Sequence, residues 1–275
     1  MSGPGRAQRV LRALRTAWHT DESGSAAASS GLIVVASAKG GVGRSYVAAN
    51  LASTLAARGA TAILDLDLQF GDLSSWGGAP PVRTIDHLVA VARAGEVKPD
   101  DVRAIADDRF GRFALLAASR SPIEAASWFG DGGRAVARLT EAARRTYPWV
   151  VVDGMPGLID TVVAVLRQAD VILAVTTCEV GALRATKRYL ELLDRVAPAR
   201  RIVVANRAGR GEARDLVRPA LGDRERVLFL AEDNALARQL VLEAHPLNGV
   251  WPSRSVSAFR RLATAVTESA APSVP

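Results

Sequence analysis

Unbroken apolar runs alternate with segments of helical spacing along most of the chain. The runs predict strands at Leu32–Ser37, Ala60–Asp65, Phe113–Ala117, Trp149–Asp153, Val171–Thr176, Ile202–Ala205 and Val227–Leu230. Apolar residues on both faces of a strand mark the buried strands of a parallel sheet. Between them, Ser45–Arg58, Ile85–Ala94, Arg134–Thr146, Val180–Val196, Glu212–Leu221 and Asn234–Leu242 repeat apolar residues at helical spacing. A last helix puts Val256, Phe259, Leu262, Ala263 and Val266 on one stripe, which is expected to cover the sheet edge. The alternation implies an α/β fold, a three-layer sandwich with a mostly parallel central sheet and helices on both faces.

The first thirty residues break the pattern. Residues 6–18 would place Val10, Leu11, Leu14 and Trp18 on one side of a helix and four arginines around the other. Such a segment suits peripheral membrane contact or a partner's groove, as well as packing on its own domain. Small and polar residues over 20–31 read as a flexible linker. The expected division is a basic amphipathic segment with linker over 1–30 and a nucleotide-binding domain over 31–270.

The basic excess, formally +7 among 275 residues, rests on arginine, since the lysines are Lys39, Lys98 and Lys187. It permits attraction to nucleic acid or an anionic membrane and selects neither. One cysteine, Cys178, excludes an intrachain disulfide and a CxxC metal site. No run reaches the length of a membrane-spanning helix, and arginines interrupt the N-terminus where a signal peptide needs an apolar core. The expected location is therefore cytoplasmic, with a peripheral place at the inner face of the membrane or the cell pole as the variant.

Candidate chemistry begins at residues 37–45, SAKGGVGRS, between the first predicted strand and helix. Strand, glycine-rich turn and helix in that order make a phosphate cradle, because residues without side chains let backbone N–H groups converge on an anion. Against the general pattern GxxxxGK[ST], Ala38 replaces the first glycine and Arg44 replaces the lysine. The stretch KGGVGRS nonetheless resembles KGGVGK[ST], the deviant phosphate loop of the ParA/MinD family of P-loop NTPases. The segment DLDLQFGDL over 65–73 looks like the CpaE/TadZ branch of that family, whose members assemble and place Flp-type (Tad) pili. Residues 149–157, WVVVDGMPG, are similar to the family's Walker B strand, with Met155 where proline is frequent, and Ile202–Arg207 resembles its VxNR strand.

The resemblance implies ATP or ADP with Mg2+, and a homodimer closed around ATP. Lys39 would be the signature lysine that reaches the partner's phosphates, and Asp67 would organise the attacking water, supported by Asp65. Gly40, Gly41, Val42, Gly43, Arg44, Ser45 and Tyr46 would hold the phosphate end, and Asn206 and Arg207 the base. Ser45, Asp67 and Asp153 would hold the metal. Arginine keeps the positive charge of lysine but is larger and planar, so nucleotide binding with weak or lost ATP hydrolysis is the expected activity. Implied partners are pilus or secretion machinery. The alternative is a chromosome or plasmid partition or septum-placement ATPase that binds DNA or membrane, for which the N-terminal segment is the membrane candidate. A tyrosine-kinase relative fits poorly because the chain has no tyrosine-rich tail, and an iron–sulfur reductase needs more cysteine than Cys178.

Overall fold

In the first strand, β1 (Gly31–Ala36), alternate side chains face two separate cores, which is why an unbroken apolar run is needed. Leu32, Val34 and Ala36 enter one cluster, and Ile33 and Val35 the other. The computed structural model describes residues 30–71, 73–77, 80–197, 199–209, 211–222, 225–243 and 254–270. The expected helix over 6–18 and most of the linker over 20–31 lie outside the described residues.

After β1 come α1 (Arg44–Leu55), β2 (Thr61–Asp65), β3 (Ala114–Leu116), α2 (Arg134–Thr146) and β4 (Trp149–Asp153). Then follow β5 (Val171–Thr176), α3 (Val180–Val196), β6 (Arg200–Ala205), β7 (Val227–Phe229) and α4 (Arg254–Ala270). The strands form one sheet in the order β3-β2-β4-β1-β5-β6-β7, and every pairing is parallel. Parallel neighbours require crossovers, so helices cover both faces. On one face lie α2, α3 and the short helix Asp160–Leu166. On the other lie α1 and α4.

All seven predicted strands are present: Trp149–Asp153 and Val171–Thr176 have the expected bounds, and the ends of the others shift by at most two residues. The helices differ from expectation at several places, one of which is Ile85–Ala94, where a 3-10 turn over Ile85–Leu88 precedes the helix Val89–Ala94. The helix expected over Glu212–Leu221 is two pieces, Glu212–Asp215 and Val217–Leu221. Pro219 has no N–H for the Asp215 carbonyl, so the ladder breaks there. The stripe on α4 covers the face of the sheet and not its edge: Phe259, Leu262, Ala263 and Val266 are fully buried with Val47 and Leu51 of α1. Sequence alone leaves Pro99–Ile105, Pro122–Ala125 and Asp160–Leu166 unassigned, and each is helical.

Every parallel strand ends at the same edge of the sheet, so the segments after β1, β2, β4, β5 and β6 meet. That convergence places the site at the carboxyl ends of the strands, where open α/β sheets take ligands.

Candidate nucleotide site

The loop after β1 is built from its two ends. Ser37, buried, donates from Oγ to the Lys39 carbonyl at 2.6 Å, which turns the chain out of the strand. Gly41 and Gly43 then take φ +78° and +92°, left-handed values that disfavour side chains. Gly43 precedes the first turn of α1, whose backbone N–H groups and positive helix end form the cradle. Asn206, at the end of β6, donates from Nδ2 to the Val42 carbonyl at 2.9 Å. A Cβ on Gly43 would lie 2.3 Å from that nitrogen, so the loop passes where only glycine fits.

Arg44 does not project towards open solvent. It is buried, with Nη1 donating to Ser37 Oγ at 2.8 Å and Nη2 to Asp67 Oδ2 at 3.2 Å. Its Nε lies 3.9 Å from Asp153 Oδ1. One guanidinium thus joins the phosphate loop to the carboxylates that end β2 and β4. Two carboxylates held at one edge need a cation between them, and here a side chain supplies it.

The acidic turn is closed by its own backbone. Asp65 and Asp153 are register partners on β2 and β4, and both are buried. Asp65 Oδ1 accepts from the Asp67 N–H at 3.1 Å, and the Gly71 N–H donates to the Asp67 carbonyl at 2.7 Å. A Cβ on Gly71 would fall 2.5 Å from that carbonyl oxygen, so the sequence QFGD is bound to glycine at this point.

A cavity of about 550 Å³ opens over the loop, within the range of small-molecule sites. Of the residues expected from the sequence, Gly41, Gly43, Arg44, Ser45, Tyr46, Asp67, Asn206 and Arg207 line it. Lys39, Gly40, Val42 and Asp153 do not: Lys39 and Gly40 are exposed, Val42 is buried, and Asp153 lies beneath Arg44. The Lys39 ammonium sits 3.6 Å from where a Cβ of Gly181 would be, beside the start of α3. Tyr46 packs edge-on against Phe259 at 5.8 Å. Burial, with the nearby Asp233 charge, pushes its phenol well above the usual tyrosine range, so the ring stays neutral.

The far wall is formed by residues that the sequence did not mark, Trp76 and Ala231–Asn234 with Ala237. Asp233 caps the helix that follows, accepting from the Leu236 N–H at 2.9 Å, and accepts from Ser255 Oγ at 2.6 Å. An aspartate just before a helical run is the available signal. Ser37 was also missed, since a serine after a strand carries no signal of its own.

For magnesium, the donor types are present: the Ser45 hydroxyl and the carboxylates of Asp67 and Asp153 are the hard oxygens this ion takes. In the structure those two carboxylates face Arg44. Among the described residues no group of three or more His, Cys, Asp or Glu side chains is placed to hold a metal.

A parallel sheet flanked by helices on both faces, with a glycine loop after its central strand, matches the ParA/MinD P-loop NTPase fold. The comparisons with known proteins agree. Residues 29–75 match the family model described as ParA, NUBPL iron-transfer P-loop NTPase. The chain is similar to the chloroplastic septum site-determining protein MinD homolog of Arabidopsis thaliana, 27% identical over 169 residues. That match covers 59% of this chain and 50% of the relative, so the chain matches about half the relative's length. A ParA family ATPase from Chlorobium tepidum TLS superposes with a TM-score of 0.75 at 20% identity, covering 86% of this chain and 99% of that one. The septum site-determining protein MinD from Pyrococcus horikoshii OT3, in complex with Mg-ADP, gives 0.71 at 20% identity over 86% and 95%. No helix among the described residues is long and apolar enough to cross a membrane.

Proposed function

We propose that this chain is an adenine-nucleotide-dependent ParA/MinD-like switch or scaffold of the CpaE/TadZ kind. In this reading it positions or assembles a Tad (Flp) pilus or secretion machine, and it hydrolyses ATP weakly or not at all. The observation that carries it is Arg44, at the floor of the cavity and held by Ser37 and Asp67 at 2.8 and 3.2 Å. A nucleotide would lay its phosphates on the amides at the start of α1, with its base towards Asn206, Arg207 and the wall at Ala231–Asn234. If Mg2+ accompanies the nucleotide, Ser45, Asp67 and Asp153 carry the oxygens that suit it, and the two carboxylates would have to leave Arg44 to reach it. Phosphoryl transfer depends on placement, and a shift of about 1 Å can cost on the order of a hundredfold in rate. The guanidinium is spread across Ser37 and Asp67, so it is not the compact point charge that a lysine would bring to the transferring phosphate.

Lys39 lies outside the cavity and is exposed, which suits a role across a seam between two subunits. ATP would then close a homodimer, and a pair that does not hydrolyse its nucleotide stays closed. Light scattering of the purified chain without nucleotide, with ADP and with ATP-magnesium tests this. The expected result is a doubling of mass with ATP that Lys39→Ala abolishes. Steady-state ATP turnover at the level of ordinary family members would contradict the scaffold reading.

The names of the relatives favour a second reading, a partition or septum-placement ATPase. ATP-dependent, salt-sensitive retention on DNA would support the partition form. Flotation with liposomes that is lost on removing residues 1–20 would support the membrane form.

A further inference from the structure

The carboxylates of Asp67 and Asp153 are the groups a nucleotide-bound divalent ion would meet, and they already have a cation. Arg44 reaches Asp67 Oδ2 at 3.2 Å and lies 3.9 Å from Asp153 Oδ1, while Ser37 Oγ fixes its other terminal nitrogen at 2.8 Å. Two hydrogen bonds, to Ser37 and Asp67, and a looser 3.9 Å approach to Asp153 hold the guanidinium beside the ends of β1, β2 and β4. It is also buried, so solvent does not screen it, and a second cation beside it would be repelled. A lysine at this position could not do the same, because a single ammonium cannot span Ser37 and Asp67 with separate nitrogens.

The guanidinium is not sealed away from ligand. Arg44 is among the residues that line the cavity, with Gly41, Gly43 and Ser45, and 8% of its side chain is exposed, so its charge lies next to the volume that phosphates would occupy. It therefore offers what the divalent ion offers at that spot, positive charge between carboxylates and phosphate, without needing an ion to be taken up.

We propose that Arg44 is the resident cation of this site, so that the chain binds adenine nucleotide without requiring a divalent ion. The inference rests on the nucleotide-site reading above and changes only its cation requirement. Phosphate charge is met by the amides of the loop, the positive end of α1 and Arg44. Asp67 and Asp153 stay with the guanidinium in the bound state.

Calorimetric titration of the full chain with ADP, once in EDTA and once in millimolar MgCl2, tests it. The expected dissociation constants agree within about threefold for the unaltered protein. In Arg44→Lys, magnesium should tighten ADP binding by on the order of tenfold or more, since the compact ammonium leaves the carboxylates open to a divalent ion. Magnesium dependence of about tenfold in the unaltered protein would overturn the proposal and leave the nucleotide site intact. Magnesium indifference in both proteins would overturn the assignment to Arg44. No ADP binding in either buffer would overturn the nucleotide reading itself, and this proposal with it. The comparison in the unaltered protein decides the first point even if Arg44→Lys melts early, and a thermal melt of the variant shows whether it has.

Discussion

The side chain of Asn206 donates to the carbonyl of Val42 at 2.9 Å, joining the end of β6 to the glycine loop across 164 residues of sequence. Its backbone N–H donates to the Thr176 carbonyl at 2.8 Å, so the residue is fixed by the end of β5 as well. Asn206→Ala strips the buried Val42 carbonyl of this donor, and such a loss costs about 1–3 kcal/mol. Urea unfolding should show that loss, and ADP titration should show weaker binding because the loop is no longer held. Gly43→Ala attacks the same contact from the other side. Its Cβ would meet Asn206 Nδ2 at 2.3 Å on a backbone at φ +92°, so nucleotide binding should fall further than in Asn206→Ala.

Arg44→Ala should be among the most destabilising single changes in the chain. It removes a buried guanidinium whose Nε lies 3.9 Å from Oδ1 of Asp153, itself only 1% exposed. Breaking a buried pair in this way costs about 3–5 kcal/mol. Pairing it with Asp153→Asn should restore part of the loss, which unfolding of the two single variants and the double variant would read as a coupling. An additive result would remove the ion-pair account of Arg44.

Lys39→Ala separates stability from assembly. Lys39 is exposed, so the unfolding free energy should stay within about 0.5 kcal/mol of the unaltered chain. Nucleotide-dependent mass change should vanish in the same protein. A large loss of stability would mean that Lys39 acts within its own subunit.

Burial pushes the Cys178 thiol up, and the Arg214 charge offsets this only in part. The thiolate is the reactive form, so less of it is present near neutrality than at a free cysteine. Alkylation near neutral pH should therefore be slower than for a free thiol. It should rise with pH through a range above the ordinary thiol value. Fast labelling at neutral pH would show that the residue is more open than the structure has it.

Much of the fold was legible because parallel strands carry their own signature. Gly31–Ala36, Trp149–Asp153 and Val171–Thr176 are apolar almost throughout, and they are the three central strands. The stripe on Val256–Val266 announces burial but carries no information on which surface covers it, and α1 and the sheet face do so in place of the edge. Helix Pro99–Ile105 was readable in principle, with proline at its first position and Asp100 and Asp101 in its first turn. At the site, the glycines and Arg44 stood out because few residues fit their places. The wall at Ala231–Asn234 did not, since no periodicity marks a loop that matters only for where it ends up. The partner of Arg44 was equally hidden, because 23 residues of sequence separate it from Asp67.

The strand order has a consequence for synthesis. β1 leaves the ribosome first among the strands but sits between β4 and β5, so a nascent chain that stops before Trp149 can give it neither neighbour. Until Asp153 has emerged the six residues of β1 have no neighbouring strand, and one edge stays open until Thr176 follows, so late zipping of distant segments governs how fast the molecule matures. Chaperone demand during translation should therefore concentrate on the first half of the chain, ahead of any nucleotide.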